Sequence, residues 1–503
     1  MPASRAAVGT IELAEGLTRE YLLHHRLCPV ERGASGDLRI AAAPDALLED
    51  AIPDLERAYQ CSVVPMLVSD ADVVRLIERL VAHADHEAAS IELARVTANG
   101  DVDDRTADIR DLANQPPVVR YVNLLVRDAY DAGASDIHLE ATKDGLLARL
   151  RLDGVLNPTP EPPPSLAHAV ISRLKLLAEL DIAERRRPQD GRIRVRLEAR
   201  ELDLRVSTVP TLFGESVVLR LLDRGGRPVS LGELGMPGGI YEGMTRLATR
   251  THGMVLVTGP TGSGKTTTLY SALQQRDTAA EKILTVEDPV EYELPGITQV
   301  PVHRQAGVTF AAALRSILRQ DPDVVMLGEM RDPETAEVAV QAAMTGHLVL
   351  STLHTNDAVS AVPRLIDLGV PPYLLAATLE GVLAQRLVRV TCDACRMTYQ
   401  PNPAQVAALW ATSDTESDDL QVDFSKGAGC AACRQTGFRG RVGLFELAVV
   451  TEAFRDAITR GAPRSELREI AARDGTRPLA ADGWSKVVAG VTTIEEVLRV
   501  AQH

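Results

Sequence analysis

Aromatic side chains, cysteine and positive charge are all scarce in this sequence. Phe, Trp and Tyr make up 3% of the 503 residues, so the core must be built mainly from Leu, Val, Ile and Ala. Acidic residues outnumber basic ones, 69 to 54, and the formal net charge is −15. Binding to the phosphates of nucleic acids requires a basic surface, so this balance argues against a general nucleic-acid binder.

Long hydrophobic runs are absent as well. No stretch approaches the roughly 18 apolar residues that a membrane-spanning helix requires. The N-terminus carries Arg5 but no uninterrupted apolar segment, so it does not have the pattern of a secretory signal. We therefore expect a cytoplasmic protein whose membrane association, if any, depends on a partner.

Shifts in composition divide the chain into segments. The polar, acidic stretch before residue 116 is typical of a linker, and the four glycines and one proline of 224–235 are typical of a hinge. The predicted organisation is an N-terminal docking domain (1–97), a linker (98–116), a second N-terminal domain (117–223), the hinge (224–235), a core of alternating strands and helices (236–388), a cysteine-containing subdomain (389–445) and a helical C-terminal region (446–503).

Hydrophobic patterning predicts the fold class. Arg192, Arg194 and Arg196 alternate with apolar residues, which indicates a half-buried strand with one cationic face. After the hinge, strands alternate with helices, so the predicted fold is α/β with a parallel sheet covered by helices on both faces. The predicted strands of this sheet are 253–258, 283–287, 324–329 and 348–352.

A glycine-rich loop follows the first of these strands. Residues 259–266 read Gly-Pro-Thr-Gly-Ser-Gly-Lys-Thr, with an apolar strand before them and a predicted helix through Leu273 after them. This is the context of a P-loop, or Walker A motif, in which backbone N–H groups surround the β-phosphate. Lys265 is expected to bridge the β- and γ-phosphates, and Thr266 to supply a hydroxyl to Mg²⁺. The predicted nucleotide-binding residues are Gly259, Pro260, Thr261, Gly262, Ser263, Gly264, Lys265, Thr266 and Thr267.

Acidic residues end two of the predicted strands. Glu287 follows the apolar run 283–286, and Glu329 follows 324–328. A P-loop hydrolase needs one acid to hold Mg²⁺ through water and another to orient or deprotonate the attacking water. Either residue could instead be an ordinary strand-end carboxylate, but together with the P-loop they are candidate catalytic residues. Glu291 is more simply a structural neighbour.

Polar residues also end the strand 348–352. Ser351, Thr352 or His354 could sense whether the γ-phosphate is present. A single histidine is more often a core residue with its hydrogen bonds satisfied, but here His347 and His354 flank one strand. His354 is therefore a candidate catalytic residue.

Four of the six cysteines form two C-x-x-C pairs. Cys392 and Cys395 precede Cys430 and Cys433, and four thiolates at such spacing can hold Zn²⁺ in a closed structural site. A redox dithiol is the rival interpretation. The acidic residues 413–419 between the pairs argue against nucleic-acid binding there. Cys28 and Cys61 lie in apolar stretches and are most simply core residues.

The combined motifs resemble the ATPases of type II secretion and type IV pilus systems. The stretches that carry the resemblance are 134–140, 187–192, the P-loop, 287–291, 328–332, 346–356 and the two cysteine pairs. The resemblance covers residues 115–503 and is closest on the type II secretion side. It implies a RecA-like P-loop core preceded by a PAS-like α+β domain and a small N-terminal domain.

The resemblance also implies a function and partners. Members form rings, here expected to be a hexamer, that hydrolyse ATP with Mg²⁺ to drive pseudopilus assembly and so export proteins across the outer membrane. The implied partners are the cytoplasmic domain of the inner-membrane L protein, bound by the N-terminal domain, and the inner-membrane platform F protein. The chain would thus be attached peripherally to the cytoplasmic face of the inner membrane.

Arginines complete the site in this family. The resemblance implies Arg205 and Arg220 from the second domain, and Arg315 and Arg319 from the core. The physical need is general, because the charge that spreads over the transferring phosphoryl group must be neutralised. Each of these arginines could instead form a surface ion pair.

Three other functions remain open at this stage. A pilus-assembly ATPase shares every motif described above, whereas retraction motors generally lack the cysteine pairs. A nucleotide-gated scaffold without significant hydrolysis belongs to a different class, and the intact Lys265, Glu287 and Glu329 argue against it. A DNA-translocating relative would need a basic pore surface.

Overall fold

The structure is a computed structural model. It describes residues 14, 17–32, 36–70, 72–74, 76, 77, 80, 113–197, 200–223, 229–413 and 423–501. The chain forms two compact units, one of residues 1–199 and 203–221 and the other of residues 200–202 and 222–503. Most of the predicted linker, residues 224–228 of the predicted hinge and residues 414–419 of the acidic insert lie outside the described residues.

The first 70 residues contain a small three-stranded sheet in the order β1-β2-β3. Its first helix begins where the Thr18 hydroxyl accepts the N–H of Tyr21 over 3.2 Å. Cys28 is buried in this small core, as predicted, and Cys61 packs against it. The elements are α1 (Arg19–His25), β1 (Leu27–Arg32), β2 (Leu38–Ala42), α2 (Leu48–Tyr59) and β3 (Val63–Leu67).

Residues 116–223 form a six-stranded sheet in the order β6-β5-β4-β9-β8-β7. One apolar core joins the sheet to two helices. Arg192, Arg194 and Arg196 all lie on the exposed side of the edge strand β7, which confirms the predicted cationic face. The elements are α3 (Pro116–Asp131), β4 (Asp136–Thr142), β5 (Gly145–Leu152), β6 (Val155–Pro158), α4 (Ala167–Leu177), β7 (Gln189–Leu197), β8 (Arg200–Thr211) and β9 (Gly214–Asp223).

The second unit is built on a seven-stranded sheet in the order β12-β11-β13-β14-β10-β15-β18. All neighbours pair in parallel except β15 and β18, which are antiparallel. The strands are β10 (Gly253–Thr258), β11 (Ile283–Glu287), β12 (Thr298–Pro301), β13 (Val324–Leu327), β14 (Leu348–Leu353), β15 (Leu379–Thr391) and β18 (Phe438–Val449). The predicted α/β fold with a parallel-rich sheet is confirmed.

Helices cover both faces of this sheet, as predicted. Met254 and Leu256 of β10 belong to one apolar cluster and the alternate residues Val255 and Val257 to another, so both faces of the strand are buried. The helices are α5 (Gly238–Ala248), α6 (Lys265–Leu273), α7 (Phe310–Ile317), α8 (Pro333–Met344), α9 (Ala361–Asp367) and α10 (Pro372–Thr378).

The remaining elements surround the cysteine pairs or follow β18. The predicted helical C-terminal region (446–503) is confirmed for most of its length, but residues 446–449 belong to β18, which continues to Val449 and pairs with β15. Helices follow only after it. The elements are β16 (Arg396–Thr398), α11 (Pro403–Ser413), β17 (Ser425–Gly427), α12 (Glu452–Thr459), α13 (Arg464–Arg473), α14 (Leu479–Val488) and α15 (Ile494–Ala501).

A buried ion pair crosses the first unit. Lys175 Nζ donates to Glu215 Oε1 over 2.7 Å and to the carbonyl oxygen of Glu184 over 2.6 Å. The two side chains are 1% and 7% exposed. Because the pair is desolvated, removing one partner leaves an uncompensated charge in the core.

We expect Lys175→Met to destabilise the first unit by about 3–5 kcal/mol, because Glu215 would stay buried without its cation. Hydrogen exchange of the β4–β9 amides in the full chain measures this loss. Arg149→Met, which breaks the half-exposed pair with Glu140, is the matched control and should cost less than about 1 kcal/mol. Equal losses from the two substitutions would contradict the assignment.

Candidate functional site

The glycine-rich loop leaves the buried strand β10 and enters helix α6. Every residue of β10 is buried, and residues 259–264 turn the chain so that α6 begins at Lys265. A strand, loop and helix in this order present backbone N–H groups and the positive end of the helix dipole to an anion. The predicted strand 253–258 and the predicted helix through Leu273 are both confirmed.

Two glycines of the loop are required by the close approach of β15. A Cβ at Gly259 would lie 2.4 Å from the carbonyl oxygen of Gln385, and one at Gly264 would lie 2.8 Å from Gln385 Nε2. Both glycines also have positive φ, which larger residues rarely adopt. The Thr268 hydroxyl donates to Gln385 Oε1 over 2.6 Å. Gln385 of β15 thus packs directly against the P-loop and the first turn of α6.

The Lys265 amine is held at the mouth of the loop. Its Nζ donates to the carbonyl oxygens of Gly259 and Pro260 over 2.7 and 3.0 Å. Burial lowers the pKa of Lys265 to about 8, and the attraction of Glu329 only partly offsets this. The positive charge of a lysine in such a site is only partly compensated by neighbouring groups. Nucleotide phosphates would supply the missing negative charge.

Glu329 lies beside Lys265. It follows the end of β13 by two residues, so the predicted strand 324–329 is two residues too long. Its carboxylate forms an ion pair with Arg331, and Glu329 Oε2 lies 3.5 Å from His354 Nε2. Burial lowers the pKa of His354, and the positive Lys265 acts in the same direction. The structure therefore brings Lys265, Glu329 and His354 into one electrostatic cluster.

Glu287 lies in a separate buried network. It is the last residue of β11 and is 1% exposed. Its carboxylate accepts hydrogen bonds from the Tyr270 hydroxyl, from Thr285 Oγ1 over 2.6 Å and from Gln299 Nε2 over 3.0 Å. These three donors hold the carboxylate in a fixed position. The catalytic role of Glu287 stays a prediction.

The end of β14 connects the strands around the P-loop. Thr352 Oγ1 donates to the carbonyl oxygen of Gly328 over 2.6 Å, beside Glu329. Ser351 Oγ is buried and has no hydrogen-bond partner among the described residues. His347 lies at the opposite end of β14, where its Nδ1 is 2.9 Å from the Ala342 carbonyl oxygen. Of the two histidines that flank the strand, only His354 belongs to the Lys265 cluster.

The four predicted site arginines lie in different places. Arg205 and Arg220 belong to strands β8 and β9 of the first unit, and Arg220 Nε donates to Asp136 Oδ1 over 3.0 Å. Arg315 of α7 pairs with Glu334 over 2.6 Å. Arg319 donates to the carbonyl oxygen of Arg315 over 2.8 Å. Their contribution to catalysis stays a prediction.

The four predicted metal ligands converge. The sulfur atoms of Cys392, Cys395, Cys430 and Cys433 all lie within 4.8 Å of one another. The backbone N–H groups of Cys430 and Gly437 each donate to Cys433 Sγ over 3.2 Å. Burial tends to raise the pKa of Cys433, but these donors lower it to about 7. A compact set of four sulfurs with amide donors fits a tetrahedral metal ion.

Sequence reasoning missed several polar side chains that build the site. Tyr270 and Gln299 hold Glu287, and Gln385 and Arg386 contact the P-loop. Gln385 and Arg386 could have been found, because they interrupt the otherwise apolar run 381–388. Buried polar residues inside an apolar strand need specific partners, which is the signal that points to a site.

Comparison with known proteins identifies the family. The family described as type II/IV secretion system protein matches residues 111–499. The MshEN domain family matches residues 5–87.

Individual relatives agree with this match. Type II secretion system protein E of Xanthomonas campestris pv. campestris is 45% identical over 497 residues, covering 97% of this chain and 85% of the relative. Type II secretion system ATPase E of Vibrio cholerae is 45% identical over 396 residues, covering 79% and 78%. The type IV pilus assembly ATPase PilB of Thermus thermophilus is 43% identical over 436 residues, covering 87% of this chain but 48% of the relative.

A solved structure shows the same architecture. The pilus retraction motor PilT with bound ADP is 26% identical, with a TM-score of 0.51. The match covers 75% of this chain and 96% of that protein.

The lowered pKa of Lys265 predicts proton uptake on nucleotide binding. With a pKa of about 8 in the free protein, Lys265 is largely neutral at pH 9, whereas bound phosphates favour its charged form. We expect calorimetric titration with ADP at pH 9, in two buffers of different ionisation enthalpy, to show uptake of a large fraction of one proton.

The free energy of unfolding of the nucleotide-free protein should depend on the same protonation of Lys265. Because the folded-state pKa lies below the unfolded value of 10.5, the unfolded chain binds more protons between about pH 8 and pH 10.5, and the contribution of Lys265 to stability rises with pH in that window. Lys265→Met should remove this rise. In the calorimetric titration, proton uptake on ADP binding that is no larger at pH 9 than at pH 7 would contradict the lowered pKa of Lys265.

Proposed function

Because the chain belongs to the type II/IV secretion system protein family, we propose that it is the ATPase motor of a type II secretion system. The observation that carries this proposal is the cluster of Lys265, Glu329 and His354 at the mouth of an intact P-loop. ATP hydrolysis would drive pseudopilus assembly and so export proteins across the outer membrane.

The site residues have distinct roles in the proposed reaction. The loop 259–264 and Lys265, Thr266 and Thr267 bind the phosphates, and Thr266 supplies its hydroxyl to Mg²⁺. Mg²⁺ bound with ATP would supply positive charge to the phosphates. Glu329 would hold the ion through water, Glu287 would orient or deprotonate the attacking water, and His354 would sense the γ-phosphate.

Arginines supply the remaining positive charge in the proposed hexameric ring. Arg205 and Arg220 belong to strands of the six-stranded sheet, and they supply part of this charge in the proposal. Arg315 lies in the last turn of α7, and Arg319 follows the end of that helix by two residues. Their function is to stabilise charge on the transferring phosphoryl group.

The proposed partners belong to the inner membrane. Among the described residues, none of the helices has the length and apolar character needed to span a bilayer. Attachment to the cytoplasmic face of the inner membrane would therefore come through the L protein, bound by the N-terminal domain, and through the platform F protein. No nucleic acid takes part.

Two alternatives remain. The similarity to PilB supports a type IV pilus assembly ATPase as the first alternative. That match covers less than half of PilB, whereas the type II relatives align over most of their length. Co-purification of the full chain with the L protein or with pilus components separates these two. A nucleotide-gated scaffold would bind ATP without hydrolysing it, so the measurement of phosphate release distinguishes it from a motor.

Substitution of Glu329 tests the motor directly. We expect Glu329→Gln to lower ATP turnover by about 100-fold or more, because it removes the charge that holds Mg²⁺, while nucleotide binding persists. The measurement is phosphate release together with the affinity for a fluorescent ATP analogue, in the presence of the L protein cytoplasmic domain.

Glu337→Gln is the matched control for Glu329→Gln. Glu337 is an exposed acid on α8, and its substitution should leave turnover unchanged. Equal turnover in wild type and Glu329→Gln would refute the role of Glu329. Nucleotide binding by the wild type without phosphate release under any condition would favour the scaffold.

We also propose that the tetracysteine cluster binds a structural Zn²⁺ ion. Four thiolates complete its preferred coordination and leave no open position for catalysis. We expect about one zinc per chain, as is usual for a structural site of four cysteines, and its loss in Cys430→Ser, with a lower melting temperature. Cys61→Ser, outside the cluster, should keep its zinc when both proteins are measured by elemental analysis. Equal zinc in the two variants would contradict the site.

A further inference from the structure

Arg386 lies behind the P-loop on strand β15, next to Gln385. It is 6% exposed. A Cβ at Gly259 would lie 3.1 Å from its Nη1, so the guanidinium packs directly against the start of the P-loop. Its other nitrogen, Nη2, donates to the carbonyl oxygen and to Oδ1 of Asn356 over 3.0 and 3.3 Å. Arg386 therefore joins the nucleotide site to residue 356.

The buried charge of Arg386 has no ion-pair partner among the described residues. Burial lowers its pKa, while Glu446 and Asp357 attract it from a distance. Both of these acids are engaged elsewhere. Glu446 accepts the N–H of Ala358 over 2.9 Å, and Asp357 forms ion pairs with arginines of α13. A desolvated cation without a paired anion is costly to the protein unless a ligand supplies the anion.

We call residues 354–360 the connecting loop. Its consecutive residues contact different elements of the second unit. His354 lies beside Glu329. The Thr355 N–H donates to Thr258 Oγ1 of β10 over 2.8 Å. Asn356 accepts from Arg386. Asp357 accepts from Arg468 of α13 over 3.1 Å. A change in the position of Arg386 would therefore alter the connecting loop that joins His354 to the contacts with α13.

We propose that Arg386 is a positioning residue that couples the phosphate charge at the P-loop to the conformation of the connecting loop. Its position behind Gly259 lets the negative phosphates compensate its buried charge. Its bonds to Asn356 then hold the loop in place, and with it His354. This inference rests on the proposed function only in requiring that the P-loop binds ATP.

Two substitutions separate the charge of Arg386 from its geometry. Arg386→Met removes the charge, and we expect the affinity for a non-hydrolysable ATP analogue to fall about tenfold, with a smaller loss for ADP because it carries less charge. Arg386→Lys keeps the charge but lacks the Nη2 group that donates to both oxygens of Asn356. It should retain most of the affinity.

Hydrogen exchange of the connecting loop is the second measurement. In the wild type, we expect the analogue to slow exchange of the amides of residues 355–360. Arg386→Lys should lose this protection although it still binds the analogue. Asn356→Ala removes the Oδ1 acceptor but keeps the carbonyl oxygen that accepts the shorter bond, so it should lose only part of the protection. In the double variant the loss should not exceed that of Arg386→Lys alone, because both substitutions act on the same contact.

Arg389→Lys is the matched control, since Arg389 is another partly buried arginine of β15 but pairs with Glu496 instead of contacting the P-loop. It should alter neither affinity nor protection of the loop. Wild-type affinity in Arg386→Met, or full protection in Arg386→Lys, would overturn the inference and assign Arg386 a purely structural role. Failure of the wild type to bind any nucleotide would instead refute the proposed function.

Discussion

Desolvated positive charge at the carboxyl end of β10 is the constraint on which the nucleotide site depends. Lys265 belongs to the P-loop and Arg386 packs against its first glycine, and burial lowers the pKa of each. The strand order places β10 between β14 and β15, so one neighbour supplies His354 and the other supplies Arg386. The nucleotide-free site therefore carries positive charge that an anion would neutralise. Glu329 offsets only part of the effect of burial on Lys265.

The strand pair β15 and β18 extends this organisation away from the nucleotide. Gln385 and Arg386 contact the P-loop, and the same strand ends at Thr391, directly before Cys392. The two strands pair from Gly381↔Val449 to Thr391↔Phe438. The tetracysteine cluster therefore lies at one end of an antiparallel strand pair, and the middle of β15 contacts the P-loop. A metal ion bound there would hold that end of the strand pair together.

Sequence patterns predicted the structure correctly where one contiguous segment of chain forms it. The strand 253–258, the P-loop and α6 were predicted from contiguous residues, and the two C-x-x-C pairs predicted a cluster that the structure brings together. Two boundaries differ from the prediction because apolar runs do not show where strand pairing stops. β13 ends before Glu329, whereas β18 extends three residues past the predicted start of the helical region at 446, because β15 is present to pair with it.

The sequence by itself determined the chemistry of this protein: a phosphate-binding loop, two acids at or just after strand ends, two pairs of cysteines and the family that combines them. Only the tertiary structure decided which of these groups meet. It placed Glu329 and His354 with Lys265, assigned Glu287 to a buried network with Tyr270 and Gln299, and put Arg386 behind Gly259. The reason is physical, since these contacts join residues from strands that are neighbours in the sheet but distant in the chain, and no local periodicity encodes the order of strands.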